Sequence, residues 1–437
     1  MASYLTDWRG VFTGDALAVV RPRTTDEVAR VVQACAHHGV AIVPQGGNTG
    51  LAAGATPLGL ERAIVLALER MRAIRTLDRE GFTIGVDAGC VLADVQRAAE
   101  EAGRLFPLAL AAEGSAQIGG LIATNAGGTA VLRYGSMRAL VLGLEAVLPD
   151  GRVVDGLRAL RKDNAGYDWK QLFVGSEGTL GVITAAVLRL FPRNRATATA
   201  LVALDDLDAA LALFGMLQDA LGETLAACEL FSERCLELQL AHAPQRERPL
   251  PRHPWYLLIE AGSSLPGLRD ALEAALAEAL EREIAAEAVL AESSAQRDAL
   301  WLWRESITES ERREGASAKH DVSVALSSIP AFVREATSAV EASFAGARVL
   351  AFGHVGDGNV HFNVLLPPDG SASSEEINAL VHGIVRRFRG SITAEHGIGR
   401  YRRDELSSHR SESELSLMRA IKTAVDPDGR MNPGALF

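Results

Sequence analysis

The sequence predicts an α+β protein of two domains and a C-terminal segment. Three observations lead there. A chain of 437 residues is too long for one ordinary core. Up to about Arg195, amphipathic helices alternate with short apolar strands, punctuated by glycine-rich loops. Beyond Arg195 the composition changes, and strand-like runs with longer alanine-rich helices suggest an antiparallel sheet with helices on one face. The expected divisions are 1–195, 196–400 and 401–437.

Taken in order, Thr24-Thr25-Asp26-Glu27 opens a helix through about His38, a hydroxyl cap followed by acids in the first turn, and Gly39 stops it. VAIVP is a short buried strand, and AIVLAL and FTIGVDAG are two more. Val91 to Ala102 is a helix ended by Gly103. VLGLEAVLPDGRVV reads as a hairpin turning at Pro149-Asp150-Gly151, and LGVITAAVLRLFP is the last strand of this region. Next come a strand at 197–204, a helix at 206–221 and the strand-like AACELFS. Residues 242–253, rich in proline and arginine, read as a surface loop. WYLLIE is a strand, 266–290 has helix composition, and a helix at 293–313 carries Trp301, Trp303 and Arg304. The two tryptophans cannot share a helix face, so one of them is expected in the core. SVALSS and RVLAFG are strands, 375–389 is a helix, and the tail from Leu415 is a helix and then an extended stretch.

Hydrophobic residues make up 48% of the chain, which excludes a disordered protein. A net charge of -11 argues against nucleic acid as the main partner. Cys35, Cys90, Cys228 and Cys235 form no cluster or disulfide pattern. Asp7 and Arg9 interrupt any apolar leader, and no run is long enough to span a membrane. The expectation is a soluble, cytoplasmic protein, with peripheral membrane association left open.

The segment GHVGDGNVHFN, Gly353 to Asn363, carries the strongest chemistry. His361 and Asn363 are two apart and share a strand face. Gly356 and Gly358 let the backbone fold back so that His354 can join them. EHGIG, Glu395 to Gly399, offers a carboxylate and a third imidazole. These residues read as a metal or catalytic site or, alternatively, as separate polar turn residues, since the spacing is not that of a standard zinc module. Three glycine clusters, PQGGNTG from Pro44, ATNAGG from Ala123 and VGSEGTLG from Val174, expose consecutive N–H groups suited to phosphate oxygens. None is a dinucleotide fingerprint or a P-loop, so they point to an anionic cofactor held another way.

Taken together, PRTTDEVARVV, PQGGNTGLAAG, IGGLIATNAGG, RYG, KDNAGYDWKQLFVGSEGTLGVIT, GHVGDGNVHFN, AEHGIG and DPDGRMNPG resemble, in order and over nearly the full length, the FAD-linked D-2-hydroxyacid dehydrogenases. That group contains the D-2-hydroxyglutarate and D-lactate dehydrogenases. It lies within the vanillyl-alcohol-oxidase / p-cresol methylhydroxylase superfamily. The resemblance implies a two-subdomain FAD-binding fold of the p-cresol methylhydroxylase type plus an α+β substrate domain with an antiparallel sheet. It implies FAD contacts from Pro44, Gly46, Gly47, Asn48, Thr49, Gly50 and Leu51, then Gly120, Thr124, Asn125, Gly127 and Gly128, then Glu177, Gly178, Gly181 and Ile183. Gly89, Pro107, Tyr134 and Asn432 complete that set. Leu121 stands where the motif usually has asparagine. The glycine loops hold no histidine or cysteine, so the FAD is expected to be noncovalent.

Oxidising a 2-hydroxyacid moves a hydride from C2 to flavin N5 while the hydroxyl loses a proton, which a Lewis acid and a base assist. The resemblance makes His354, His361 and Glu395 ligands of a divalent metal, zinc first and manganese second. It makes His396 the general base and a substrate contact. Arg304, Thr308, Lys319 and Asn363 would hold the substrate. Arg304 and Thr308 are four apart, hence on one face of a continuous helix. Their retention with Lys319 favours D-2-hydroxyglutarate over D-lactate or D-malate. The electron acceptor would be a separate partner, such as an electron-transfer flavoprotein or a quinone, and a homodimer stays open. An alkyl transferase, a noncatalytic flavin subunit and a flavin-free metal hydrolase are the competing readings.

Overall fold

In the computed structural model, which describes residues 1–437, the chain forms two compact units. The first comprises Met1–Gly128, Tyr134–Arg193 and Glu395–Phe437; the second comprises Thr129–Arg133 and Asn194–Ala394. The return falls at Glu395, so EHGIG goes with the first unit.

Two larger sheets and the short antiparallel pair Arg104–Leu105 with Phe191–Pro192 build the first unit. Ala18–Val20, Ala63–Ala67 and Ala41–Gln45 form a three-stranded parallel sheet in that order. Ile74–Asp78, Thr83–Asp87, Val182–Arg189, Val141–Val147 and Val153–Gly156 form an antiparallel five-stranded one. The helix Thr25–His38 starts where the Thr24 hydroxyl accepts the Glu27 N–H at 3.2 Å. It ends at Gly39, whose φ of +61° a side chain would resist. The C-terminal helix Glu412–Val425 is tied back by Lys422, whose ammonium donates to the Thr179 carbonyl at 2.6 Å and the Met431 carbonyl at 2.9 Å.

The second unit is an antiparallel sheet in the order Glu287–Leu290, Ala196–Leu204, Trp255–Ser263, Leu225–Ser232, Arg348–His354, Asn359–Leu365, Ser317–Ala318, with Asp321–Ser323 also on Asn359–Leu365. Helices cover both of its faces, not one as expected. Phe332 of the helix Ile329–Ser343 meets Phe362 with ring centroids 5.8 Å apart. Trp301 and Trp303 pack with Phe231, Tyr256, Leu350 and Phe352 on the opposite side. Both tryptophans are buried, where sequence reasoning placed one. The expected helix at 293–313 is two, Ser294–Glu305 and Ile307–Glu314, broken at Ser306. Helix composition over 266–290 hid the strand Glu287–Leu290, and of the expected strand SVALSS only the first residue, Ser323, is in one, Asp321–Ser323, while Leu326–Ser328 is a helical turn.

Candidate functional site

In the first unit the glycine loops meet around one cavity that opens to solvent. Residues 44–50, 119–121, 177–178 and Thr124, Gly181 and Ile183 line it. Two glycines show what the loops are shaped for. A Cβ on Gly50 or Gly120 would meet no atom within 4 Å, so both leave space that a ligand can occupy. Gly47 is different: its Cβ would lie 2.0 Å from the Ser115 carbonyl oxygen, so close backbone packing excludes a side chain. Gln117, unassigned by sequence reasoning, also lines the cavity, and its Oε1 is buried without a hydrogen-bond partner. An orphaned acceptor beside a glycine cradle fits a cofactor that brings its own N–H or O–H donors.

The other residues expected at FAD lie outside that lining. A Cβ on Gly89 would strike the Leu68 carbonyl oxygen at 1.9 Å, and one on Gly128 the Ala109 carbonyl oxygen at 2.0 Å. Asn125 Oδ1 accepts from the Ser136 hydroxyl and the Arg138 N–H, both at 2.9 Å. Tyr134 packs edge-on to Phe191, Pro107 is buried, and Leu51 and Gly127 are half-buried. Asn432 donates its amide to the carbonyls of Glu177 at 2.6 Å and Gly54 at 2.9 Å, which ties the tail to the rim of the cavity.

Glu177 holds the EHGIG turn. Its carboxylate accepts the N–H groups of Ile398 at 2.8 Å and Gly399 at 2.7 Å. Burial pushes its carboxyl up to about 7, against the opposing pull of those two N–H groups and of Arg400. Arg400 in turn donates to the Gly54 carbonyl at 2.8 Å and the Asn432 side chain at 2.7 Å. The turn so fixed places His396 on the cavity wall. An imidazole beside the cradle can take a proton there.

In the second unit, strand register gathers the chemistry on one face. Glu229 lies opposite His354, His354 opposite Asn359, Phe352 opposite His361, Leu350 opposite Asn363 and His361 opposite Asp321. Cross-strand partners share a face, as do residues two apart, so Glu229, His354, His361, Asn363 and Asp321 all do. The backbone turns there at Gly358, φ +84°. The rings of His354 and His361 have centroids 5.4 Å apart, and one nitrogen of each lies within 4.8 Å of the other. His354 Nδ1 is 2.5 Å from Glu229 Oε1, and His361 Nδ1 is 3.6 Å from Asp321 Oδ1. The Glu229 carboxylate bonded behind His354 is the arrangement that orients an imidazole for a metal, whereas Asp321 stands near His361 beyond hydrogen-bond length. Burial would raise the Glu229 carboxyl, but His354 and Arg304 outweigh it and hold it below the ordinary range.

Arg304 donates its Nε to Glu229 Oε2 at 2.7 Å and lies 4.8 Å over the Phe352 ring. Thr308 is exposed and, because of the break at Ser306, belongs to the next helix. The argument from one continuous helix therefore does not apply to the pair. Asn363 donates to Glu311 Oε2 at 2.8 Å and accepts the His320 N–H at 3.3 Å. Lys319 Nζ stands 3.5 Å from the same Glu311 oxygen. Sequence reasoning missed Glu229, Glu311, Asp321 and Gln117. The one signal was Glu229 itself, a lone charge inside the apolar run AACELFS. The four cysteines are buried with thiols pushed up by burial, and hence inert.

Residues 16–156 match the family model described as FAD binding domain, and residues 193–436 that described as FAD linked oxidases, C-terminal domain. The family matches make the protein an FAD-dependent oxidoreductase, and the glycine cradle with a histidine on its wall is compatible with that class. The chain belongs to this family of FAD-linked oxidases, which is related to the D-2-hydroxyacid dehydrogenases. It is 39% identical over 440 residues to the D-2-hydroxyglutarate dehydrogenase of Xanthomonas citri pv. viticola, covering 99% of this chain and 92% of that one. It is 37% identical over 430 residues to a probable mitochondrial D-2-hydroxyglutarate dehydrogenase of Oryza sativa subsp. indica, covering 98% and 76%. Its fold is similar to that of p-cresol methylhydroxylase with substrate bound, at a TM-score of 0.72 and 16% identity, covering 95% and 88%. The rice relative, like those from cattle, zebrafish and Arabidopsis, is named as mitochondrial, which overturns the cytoplasmic expectation. That expectation rested on composition and on Asp7 and Arg9, neither of which reports a compartment. No helix is long and apolar enough to cross a membrane.

Proposed function

We propose that the chain oxidises D-2-hydroxyglutarate to 2-oxoglutarate, with D-malate and D-lactate as weaker substrates. The observation that carries this reading is His396 on the wall of the glycine cradle, an imidazole beside the cofactor's place. Two D-2-hydroxyglutarate dehydrogenases among the relatives, matched over almost the whole chain, supply the substrate class.

When bound, FAD supplies a two-electron acceptor and a divalent metal a Lewis acid. Residues 44–50, Gly120, Thr124, Glu177–Gly178 and Gln117 would hold the flavin without a covalent bond. His354, His361 and Glu395 would hold the metal, zinc before manganese. The two rings, with Glu229 bonded behind His354, fit such an ion. His396 takes the proton from the substrate hydroxyl at a ring nitrogen. Arg304 grips a substrate carboxylate with its guanidinium, and Lys319, Thr308 and Asn363 bind the remainder. The electrons then leave to a separate acceptor, an electron-transfer flavoprotein or a quinone.

The test is anaerobic mixing of the FAD-loaded protein with D-2-hydroxyglutarate, D-malate, D-lactate and their L-forms. Flavin bleaching is expected with the D-acids, fastest with D-2-hydroxyglutarate. Bound flavin that none of them bleaches refutes the proposal.

A further inference from the structure

We propose that Glu229 is the positioning residue that couples the metal-binding histidine to the substrate-binding arginine. The inference rests on the assignment of His354 as a ligand and Arg304 as the carboxylate grip.

Glu229 sits in the middle of the strand Leu225–Ser232 and is fully buried. A buried carboxylate needs partners for both oxygens, and here each oxygen serves a different functional group. Oε1 faces His354 Nδ1 at 2.5 Å; Oε2 accepts Arg304 Nε at 2.7 Å. The two partners arrive independently. His354 stands directly opposite Glu229 in the adjacent strand Arg348–His354, whereas Arg304 comes from the last turn of the helix Ser294–Glu305, over Phe352.

Each contact has a chemical consequence. With Nδ1 as the donor to Glu229, the lone pair of His354 is on Nε2, so the carboxylate selects the ligating tautomer. With Nε engaged, Arg304 cannot rotate its fork, and the two terminal nitrogens are what it presents to a substrate carboxylate. One carboxylate thus orients both the metal ligand and the anion grip. Asp321, whose Oδ1 is 3.6 Å from His361 Nδ1, acts on that ring through its charge rather than a hydrogen bond, and Arg304 donates to Glu229, so Asp321 separates the two effects.

The test uses the full-length, FAD-loaded protein. Glu229→Gln keeps the shape but is neutral and has one accepting oxygen for two donors, so one contact is lost and the other loses its charge. Zn²⁺ affinity, read by competition with a chromophoric chelator, is expected to fall about 10- to 100-fold. KM for D-2-hydroxyglutarate is expected to rise about tenfold or more, because the arginine fork loses its anchor. Flavin content should be unchanged. Asp321→Asn should lower Zn²⁺ affinity with a much smaller rise in KM. Should Glu229→Gln fail to fold, ¹⁵N-histidine spectra of the Zn²⁺-loaded wild type decide: His354 must ligate through Nε2 with its Nδ1 protonated. Ligation through Nδ1, or Glu229→Gln matching wild type in both Zn²⁺ affinity and KM, overturns the proposal while leaving the enzyme assignment intact. A wild type that takes up no Zn²⁺ overturns the metal assignment and this inference with it.

Discussion

Replacing Glu177 by glutamine should remove a pH dependence that the wild type carries between about 4.5 and about 7. The carboxyl is buried and its ordinary value of 4.5 is raised to about 7. A raised carboxyl binds its proton more tightly in the folded state. Its contribution to stability is therefore complete below 4.5 and is lost as pH rises towards 7. The difference of about 2.5 units amounts to roughly 3 kcal/mol. Glutamine, neutral at every pH, offers the Ile398 and Gly399 N–H groups one accepting oxygen, much as the protonated carboxyl does. The variant should thus match the wild type to within about 1 kcal/mol at pH 4.5 and be the more stable protein, by roughly 3 kcal/mol, at pH 7.5. The assay is urea unfolding of both FAD-free proteins at pH 4.5, 6 and 7.5, comparing the difference between them so that titrations common to both cancel. A difference that stays constant across this range would refute the reasoning. Amide exchange at Ile398 and Gly399 would separately report whether the EHGIG turn loosens in the variant.

Gly120→Val puts a branched side chain into space that is open now, so the protein should fold and melt normally but retain little flavin absorbance. Gly89→Ala, whose Cβ would meet the Leu68 carbonyl oxygen at 1.9 Å, should instead fail to fold, which separates cradle glycines from packing glycines. Asn432→Ala removes donors to the Glu177 and Gly54 carbonyls and an acceptor for Arg400, and should cost about 2–4 kcal/mol in thermal melts. Complete chelation should abolish turnover with flavin still bound; activity that survives verified metal removal would sink the metal assignment.

The sequence by itself determined what local chemistry dictates. Thr24 and Gly39 bound a helix because a hydroxyl cap and a left-handed stop act within a turn of the residues they serve. The glycine clusters pointed to an anionic cofactor, although the exposed N–H groups on which that reading rested are in part taken up by folding: those of Thr124, Asn125, Ala126, Gly175, Ser176 and Glu177 bond to backbone carbonyls. The period-2 spacing of His361 and Asn363 put them on one face before any partner strand was known. The tertiary structure decided whatever depends on which distant strands pair. Glu229 stands 125 residues from His354 and 75 from Arg304, so sheet register brings it the first partner and the packing of the helix Ser294–Glu305 the second. Glu177 reaches across 222 residues to Gly399, and this contact, not the motif, holds His396 against the cradle. Gln117 looks like any polar loop residue until folding buries its oxygen in the cavity wall without a partner. The short parallel sheet and the helices on both faces of the large one were illegible for the same reason. Alternation and propensity describe a segment's faces, and only long-range packing decides what covers them.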